Sequence, residues 1–285
     1  MTSLRWFPGG AVDRPYFCVV GNPIGHSKSP VIHRAFAAQF AIDLIYEQVE
    51  VHAGDLAAAL AEFRAVGGHG MNVTVPLKEE AWHLAGHRTS RAAAAEAANT
   101  LWFDDDGTLS ADNTDGVGLL RDLSTNHGVA VAGRHVLLLG AGGAARGVLP
   151  ALLEAGPSLI TVSNRTLAKA EMLAALARPG LPIEILPWGA PLRAPADIVI
   201  NATALSLHGE VPPLAPAVIG AETVCYDMMY GAAATPFVAM AKARGALVAL
   251  DGLGMLVEQA AEAFVRWHGL SPATRPVIEA LRKPQ

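Results

Sequence analysis

Residues 136–145 read Val-Leu-Leu-Leu-Gly-Ala-Gly-Gly-Ala-Ala, an apolar run followed at once by a glycine-rich turn. The apolar run has the pattern of a buried strand, and residues 144–154 have that of a helix. Gly140 permits a tight turn, Gly142 lets the backbone approach a pyrophosphate, and Ala145 allows close helix–strand packing. Free N–H groups at the helix start favour such an anion. The alternative is a glycine-rich turn that serves packing alone. The pattern predicts dinucleotide binding by Gly140, Ala141, Gly142, Gly143, Ala144 and Ala145.

The end of the next predicted strand indicates which dinucleotide is bound. Sites for NAD place an acidic residue there, on the ribose 2′-hydroxyl. This strand, residues 159–163, is followed by Asn164, Arg165 and Thr166, with no acid, and Lys169 lies one helical turn further on. A guanidinium fork suits the geometry of a phosphate, so we predict NADP, with Arg165 on its 2′-phosphate. The alternative is a solvated arginine and lysine at a helix start.

Strand-like and helix-like segments alternate on both sides of this motif, which predicts βαβ units and an α/β fold with a parallel sheet. A second unit starts near residue 117 and includes the dinucleotide motif. Before it, strand patterns at 17–20, 44–51 and 71–75 alternate with helix patterns. We predict that the proline-containing stretch 178–195 is a surface connection. Residues 255–267 have the pattern of an amphipathic helix.

Composition excludes several classes of protein. Of 285 residues, 52% are hydrophobic and 16% charged, so the chain can bury a large core and is not disordered. The longest uncharged stretch, 228–241, is shorter than the roughly 18 apolar residues that a membrane-spanning helix needs. The formal net charge of −5 and the lack of a basic block argue against nucleic-acid binding.

The cysteine content and residues 1–16 indicate the cellular compartment of the protein. Only Cys18 and Cys225 occur, so we expect neither a disulfide framework nor a metal site. Residues 1–16 lack the apolar core of a signal peptide. We therefore expect a protein of the reducing cytoplasm.

Polar residues cluster where loops should leave the N-terminal strands. Ser27 and Ser29 are placed to offer hydroxyl groups to a carboxylate, although Ser29 could instead be the N-cap of a helix. Lys78 falls in the first turn of a helix, where the dipole favours release of its proton, or it could be exposed and paired with Glu79 or Glu80. Asp115 could cap the next helix or take part in proton transfer.

The motifs that contain these residues resemble those of the shikimate dehydrogenase family. They occur in the family's order and span most of the chain: GNPIGHSKSP (21–30), NVTVPLK (72–78), NTDGVGLL (113–120), GAGGAARG (140–147), NRT (164–166), CYDMMY (225–230) and DGLGMLVEQAA (251–261). One departure is Ala204-Leu205-Ser206, where the family usually has Ser-x-Gly.

The resemblance implies a fold and a division of the chain. The fold is a three-layer α/β substrate domain, followed by a Rossmann-type doubly wound parallel sheet. The substrate domain covers residues 1–116 and the NADP domain residues 117–251. Residues 252–285 form a helical segment that returns to the substrate domain.

The resemblance also implies site residues. Lys78 is the acid/base, with Asp115 beside it. NADP is bound by 140–145 and by Asn164, Arg165, Thr166 and Lys169, with Met228 and Gly252 near the nicotinamide. Shikimate is bound by Ser27, Ser29, Thr74, Asn99, Asp115, Tyr230 and Gln259.

The implied activity is the reversible reduction of 3-dehydroshikimate to shikimate by NADPH, in aromatic amino-acid biosynthesis, by a monomer or homodimer. The main alternative is a quinate/shikimate dehydrogenase with broader substrate or cofactor use. A shikimate-sensing protein without turnover would not need both Lys78 and Asp115. A folate-type dehydrogenase would not explain the Ser-Lys-Ser loop at 27–29.

Overall fold

The computed structural model describes residues 6–7, 13–177 and 180–283. Within it the chain forms two compact units. The first unit comprises Met1–Asp115 and Val257–Leu281, and the second unit comprises Gly116–Leu256 and Arg282–Gln285. None of the described helices is long and apolar enough to span a bilayer.

Strands and helices alternate along most of the chain. The strands are β1 (Tyr16–Gly21), β2 (Ile45–Glu50), β3 (Gly68–Val73), β4 (His87–Arg88), β5 (Thr100–Phe103), β6 (Leu109–Asp112), β7 (His135–Leu139), β8 (Leu159–Asn164), β9 (Ile183–Pro187), β10 (Ile198–Asn201), β11 (Val224–Asp227) and β12 (Val248–Asp251). The helices are α1 (Ser29–Gln39), α2 (Leu56–Ala65), α3 (Lys78–Leu84), α4 (Ser90–Ala95), α5 (Asp115–Arg121), α6 (Gly143–Glu154), α7 (Leu167–Ala174), α8 (Pro236–Ala243), α9 (Leu253–His268) and α10 (Arg275–Arg282).

The first unit is built on a mixed sheet of order β2-β1-β3-β5-β6-β4. Strand β1 is parallel to β2 and β3, whereas β5 is antiparallel to β3 and β6. Successive residues of β1 face opposite sides of the sheet. Cys18 and Val20 join the core that includes Phe63 of α2, while the ring of Phe17 lies 4.9 Å from that of Trp267 of α9. Helices therefore cover both faces, and the predicted three-layer arrangement is confirmed.

The second unit contains a fully parallel sheet of order β12-β11-β10-β7-β8-β9. Read from β9, the order is that of the doubly wound dinucleotide-binding fold, with its switch point between β7 and β10. All residues of β10, and all of β7 except the half-buried His135, are buried, as expected for central strands of a parallel sheet. The predicted Rossmann fold is confirmed.

Residues 178–195 were predicted to be a surface connection, and this prediction was wrong for Ile183–Pro187, which form a strand. Ile183–Pro187 pairs in parallel with β8 as the edge strand β9. Its residues are only half-buried or exposed, so the stretch lacks the continuous apolar run of a central strand. Ile183 and Ile185 nevertheless pack against the core. Residues 178–179 of the predicted connection lie outside the described residues.

Candidate active site

A nearly buried ion pair lies in the first unit, formed by two predicted catalytic residues. Lys78 is the first residue of α3 and Asp115 the first of α5. Lys78 Nζ donates to Asp115 Oδ2 at 2.5 Å, and the side chains are 11% and 6% exposed. The alternative that Lys78 pairs with Glu80 is wrong, because Glu80 instead accepts hydrogen bonds from the backbone N–H groups of Gly54 and Leu56.

Asn99 connects this ion pair to Gln259 of α9, a residue of the same unit. Its side chain is buried, and Nδ2 lies 2.9 Å from Asp115 Oδ1 and 3.0 Å from Gln259 Oε1. Thr114 Oγ1 is also 2.9 Å from Asn99 Nδ2. The structure therefore joins Lys78, Asn99, Asp115 and Gln259 into one hydrogen-bonded cluster, which we call the Lys78 cluster.

The turn that leads into Asp115 is held by two buried side chains. Asn113 Oδ1 accepts from Asp115 N at 3.1 Å, and Asn113 Nδ2 donates to the carbonyl of Ala97 at 2.9 Å. Asp112 forms a salt bridge with Arg91 of α4. Burial opposes the ionisation of Asp112, but hydrogen bonds from Arg91 and Thr89 hold its pKa below the usual value. These contacts fix the backbone from which the Asp115 carboxylate projects.

Ser27, Ser29 and Thr74 lie beyond the carboxyl ends of two adjacent parallel strands. Ser27 Oγ accepts from Ser29 N at 3.3 Å in the segment after β1, and Thr74, just after β3, donates its N–H to the carbonyl of Val20 at 2.9 Å. Ser29 is not the N-cap of α1, since that position is Lys28 and has no side-chain cap hydrogen bond. A Cβ on Gly21 would lie 2.5 Å from Thr74 Cγ2, so glycine there lets the two loops approach.

The glycine-rich turn of the second unit leaves the backbone at the start of α6 accessible. Gly140 has a φ of +106°, and a Cβ there would lie 3.1 Å from the backbone of Ala202. A Cβ on Gly142, by contrast, would meet open space, so the backbone is accessible where α6 begins. Ala145 is fully buried. The turn therefore presents unpaired first-turn N–H groups to a region that a ligand can enter.

The residues after β8 favour a phosphorylated ribose. Arg165 and Lys169 are exposed, and neither forms a salt bridge within the described part of the chain. Asn164 Nδ2 donates to the carbonyl of Thr166 at 2.8 Å, which orders the turn. Because no acid follows this strand, the site can accept a 2′-phosphate without charge repulsion.

Met228 and Gly252, which the family resemblance puts near the nicotinamide, lie next to each other in the second unit. A Cβ on Gly252 would lie 2.4 Å from the carbonyl oxygen of Met228, so only glycine fits. Gly252 N also donates to the carbonyl of Met229 at 3.0 Å. Tyr230 is half-buried two residues further on from Met228 and belongs to the second unit.

Asp227 orders this segment and was not singled out from the sequence. Its buried carboxylate accepts from Asn201 Nδ2 at 3.0 Å and from Met229 N at 3.1 Å. It also accepts from Ser206 Oγ at 2.7 Å and Thr235 Oγ1 at 2.6 Å. Burial raises its pKa despite these donors. Ser206 stands in the segment that departs from the family pattern. The sequence feature that could have identified Asp227 is an acidic residue at the end of an apolar strand.

Three family profiles match successive parts of the chain. The substrate-binding domain of shikimate dehydrogenase matches residues 19–101. Shikimate / quinate 5-dehydrogenase matches residues 122–208, and the shikimate 5′-dehydrogenase C-terminal domain matches residues 252–282. Together these matches cover the Lys78 cluster and the glycine-rich turn, apart from Asp115.

Individual proteins are similar over almost their whole length. The shikimate dehydrogenase (NADP(+)) of Marinobacter nauticus is 52% identical over 93% of this chain and 98% of its own. The crystal structure of an Ael1 enzyme from Pseudomonas putida is 45% identical, with a TM-score of 0.86 and coverage of 95% and 99%. Shikimate 5-dehydrogenase from Thermus thermophilus, in complex with NADP(H) and shikimate, is 34% identical, with a TM-score of 0.82 and coverage of 94% and 98%.

Proposed function

The chain belongs to the shikimate dehydrogenase family, and on this premise we propose which of its residues carry out the reaction. The enzyme reversibly reduces 3-dehydroshikimate to shikimate with NADPH, in the biosynthesis of aromatic amino acids. One observation carries the residue assignment: the nearly buried Lys78–Asp115 pair is joined through Asn99 to Gln259. This places a proton donor, a carboxylate and two amides in one cluster.

In the proposed substrate site, Ser27 and Ser29 hold the carboxylate of shikimate. Their hydroxyl groups and the start of α1 suit an anion. The Lys78 cluster then contacts the ring hydroxyls, because its amide and carboxylate groups supply both donors and acceptors. Thr74 is a further proposed substrate contact of the first unit, and Tyr230 is proposed as one on the family resemblance alone.

Lys78 handles the proton. When hydride reaches the ketone carbon, the oxygen becomes an alkoxide that requires a proton. The Lys78 ammonium group gives that proton, and neutral Lys78 takes it back in shikimate oxidation. Asp115 accepts one N–H of Lys78, which leaves the other N–H groups free to point at the substrate oxygen.

The second unit fits NADP, which supplies the hydride when bound. Residues 140–145 hold the pyrophosphate through backbone N–H groups at the start of α6. Arg165 and Lys169 hold the 2′-phosphate, with Asn164 and Thr166 ordering the turn that carries them. The Asp227 hydrogen bonds keep Met228 in place beside the nicotinamide.

The direct test is NADPH absorbance with purified protein, NADP and shikimate. We expect reduction of NADP, with slower turnover when NAD replaces NADP or quinate replaces shikimate. A second candidate is a quinate/shikimate dehydrogenase, because the profile that matches residues 122–208 covers both activities. Equal kcat/KM values for shikimate and quinate would establish this second activity instead.

We propose further that the enzyme is cytoplasmic and acts as a monomer or homodimer without nucleic-acid or membrane partners. Both cysteines, Cys18 and Cys225, are buried free thiols, which suits a reducing compartment. Sedimentation equilibrium tests the oligomeric state. Masses above that of a dimer would contradict it.

A further inference from the structure

The amide of Asn99 has an orientation set by two neighbours that cannot exchange roles. The backbone N–H of Thr114 can only donate, and it lies 2.9 Å from Asn99 Oδ1. The Asp115 carboxylate can only accept when ionised, and it lies 2.9 Å from Asn99 Nδ2. The NH2 group of Asn99 therefore faces Asp115, and its oxygen faces away.

This orientation sets the direction of the side-chain hydrogen bonds that link Asn99 to Tyr46. Thr100 Oγ1 lies 3.0 Å from Asn99 Oδ1, so the hydroxyl must donate to it. The hydroxyl oxygen then accepts from Asn72 Nδ2 at 3.2 Å. Asn72 Oδ1 in turn accepts from the Tyr46 hydroxyl at 2.7 Å. A chain of donors thus runs in one direction from Tyr46 through Asn72 and Thr100 to Asn99.

The four residues of this hydrogen-bond chain are buried from solvent. Tyr46, Asn72, Thr100 and Asn99 are 2%, 5%, 0% and 2% exposed. The Tyr46 ring stacks on the ring of His33 at 4.3 Å, which fixes the position of the hydroxyl. Burial raises the pKa of Tyr46 well above its usual value, so the phenol keeps its proton and donates. Solvent cannot replace a donor that is removed from this chain.

We propose that Thr100 and Tyr46 are positioning residues that act through Asn99. They hold its amide so that the NH2 group points at the Asp115 carboxylate and the shikimate site. The inference rests on the proposed role of Asn99 in binding shikimate. Neither Thr100 nor Tyr46 needs to touch the substrate for this role.

Thr100→Val tests the proposal, with Thr100→Ser as its matched control. Valine keeps the shape and the β-branched form suited to β5 but removes the hydroxyl, whereas serine keeps the hydroxyl. Loss of the donor leaves the buried Asn99 oxygen less well satisfied and loosens the amide. We expect kcat/KM for shikimate to fall about tenfold in Thr100→Val. In Thr100→Ser it should stay within about twofold of the wild type, since the hydroxyl is retained.

The KM for NADP should be unchanged in both variants, because all four residues of this hydrogen-bond chain lie in the first unit. Equal impairment by valine and serine would overturn the proposal, and so would a valine variant with wild-type kcat/KM. Tyr46→Phe provides a second, more distant variant in case Thr100→Val fails to fold, and it should lower kcat/KM for shikimate less than Thr100→Val does. Because the Tyr46 hydroxyl also has a hydrogen bond with Ser29, the variant is measured alone and combined with Asn99→Ala. An unchanged value in the single variant, or a full additional loss in the combined one, would count against the proposal.

A double-mutant cycle separates this inference from the proposed function. Asn99→Ala should itself lower kcat/KM for shikimate, and if it does not, the proposed role of Asn99 fails. Adding Thr100→Val to Asn99→Ala should then cost little more, because the hydroxyl has no amide left to orient. A full additional loss in the double variant would overturn the positioning role while leaving the proposed function intact.

Discussion

Lys78 and Asp115 form an ion pair whose side chains are almost completely shielded from solvent. A nearly buried pair is costly to break from one side, because the remaining partner keeps its charge without compensation. For the reaction this arrangement is useful, since it holds the lysine ammonium in one place while leaving two of its protons available. The pair is therefore both a structural link between α3 and α5 and the proposed site of proton transfer.

Asp115→Asn tests the partnership. The change should lower kcat, because Lys78 loses the charge that orients it, and should raise the shikimate KM, because a substrate contact is lost. Combined with Lys78→Met, the loss should be smaller than the product of the two single losses, since both residues serve one proton transfer. Steady-state kinetics of the two single variants and the double variant measures this, and strictly multiplicative losses would contradict a shared role.

Arg165→Ala tests the cofactor assignment. A hydrogen bond to a charged group contributes about 1.5–3 kcal/mol, or about 10–150-fold in affinity. Arg165→Ala should weaken NADP by a factor in this range and leave NAD almost unaffected. Arg193→Ala is a matched control, because Arg193 is an exposed arginine of the same unit. Binding titrations with both cofactors measure the effect, and equal losses for NADP and NAD would refute the assignment.

At the scale of elements, α1 presents a buried histidine to the sheet of the first unit. Burial lowers the pKa of His33 to about 3, with the nearby His268 adding to the shift. His33 is therefore neutral in the folded protein, whereas in the unfolded chain it gains a proton below its ordinary pKa of 6.5. Acid thus stabilises the unfolded state, and the free energy of unfolding falls as the pH drops from 6.5 towards 3.

The His33→Leu variant lacks this contribution. Between about pH 7 and about pH 5, the free energy of unfolding of the wild type should fall by about 2 kcal/mol relative to His33→Leu. His208→Gln, which replaces an exposed histidine, should follow the wild type. Denaturant titrations at the two pH values measure this. Parallel pH dependence in His33→Leu and the wild type would show that His33 is not held neutral.

Elements with a strong local pattern were predictable, and those that depend on the rest of the fold were not. Strand β7 and helix α6 followed from an apolar run, a glycine turn and an amphipathic segment. Strand β9 is an edge strand, so only part of it needs to be apolar, and the short α10 lies near the end of the chain. The contacts of Asp227 with Asn201 and Ser206, and of Thr100 with Asn72, join residues that are 21 to 28 positions apart in sequence, which spacing alone does not reveal.

At the scale of the whole molecule, each unit has a sheet of its own and one part of the chemistry. The first unit contains the Lys78 cluster, and the second contains the glycine-rich turn and the segment with Met228. On the proposed site assignment, we expect substrate choice to depend mainly on the first unit and cofactor choice on the second. Mutations in one unit should then change one specificity with little effect on the other.

Shikimate should exceed quinate in kcat/KM. Quinate has an additional hydroxyl and a saturated ring at the carbon that bears the carboxylate, where Ser27 and Ser29 are proposed to bind. A binding site that rejects an added hydroxyl by shape alone often discriminates only modestly. We therefore expect quinate to be a poorer substrate but still to be turned over. Parallel progress curves with the two substrates measure it.

The most direct test of the account is single-turnover formation of NADPH by Lys78→Met after mixing with saturating shikimate and NADP. General acid–base groups usually contribute about 10²–10⁴-fold to rate. The NADPH absorbance should therefore rise at least about a hundredfold more slowly than in the wild type, with only a modest change in shikimate affinity. Lys242→Met, which changes an exposed lysine on α8, should match the wild type. A near-normal rate in Lys78→Met would show that another group or water carries the proton.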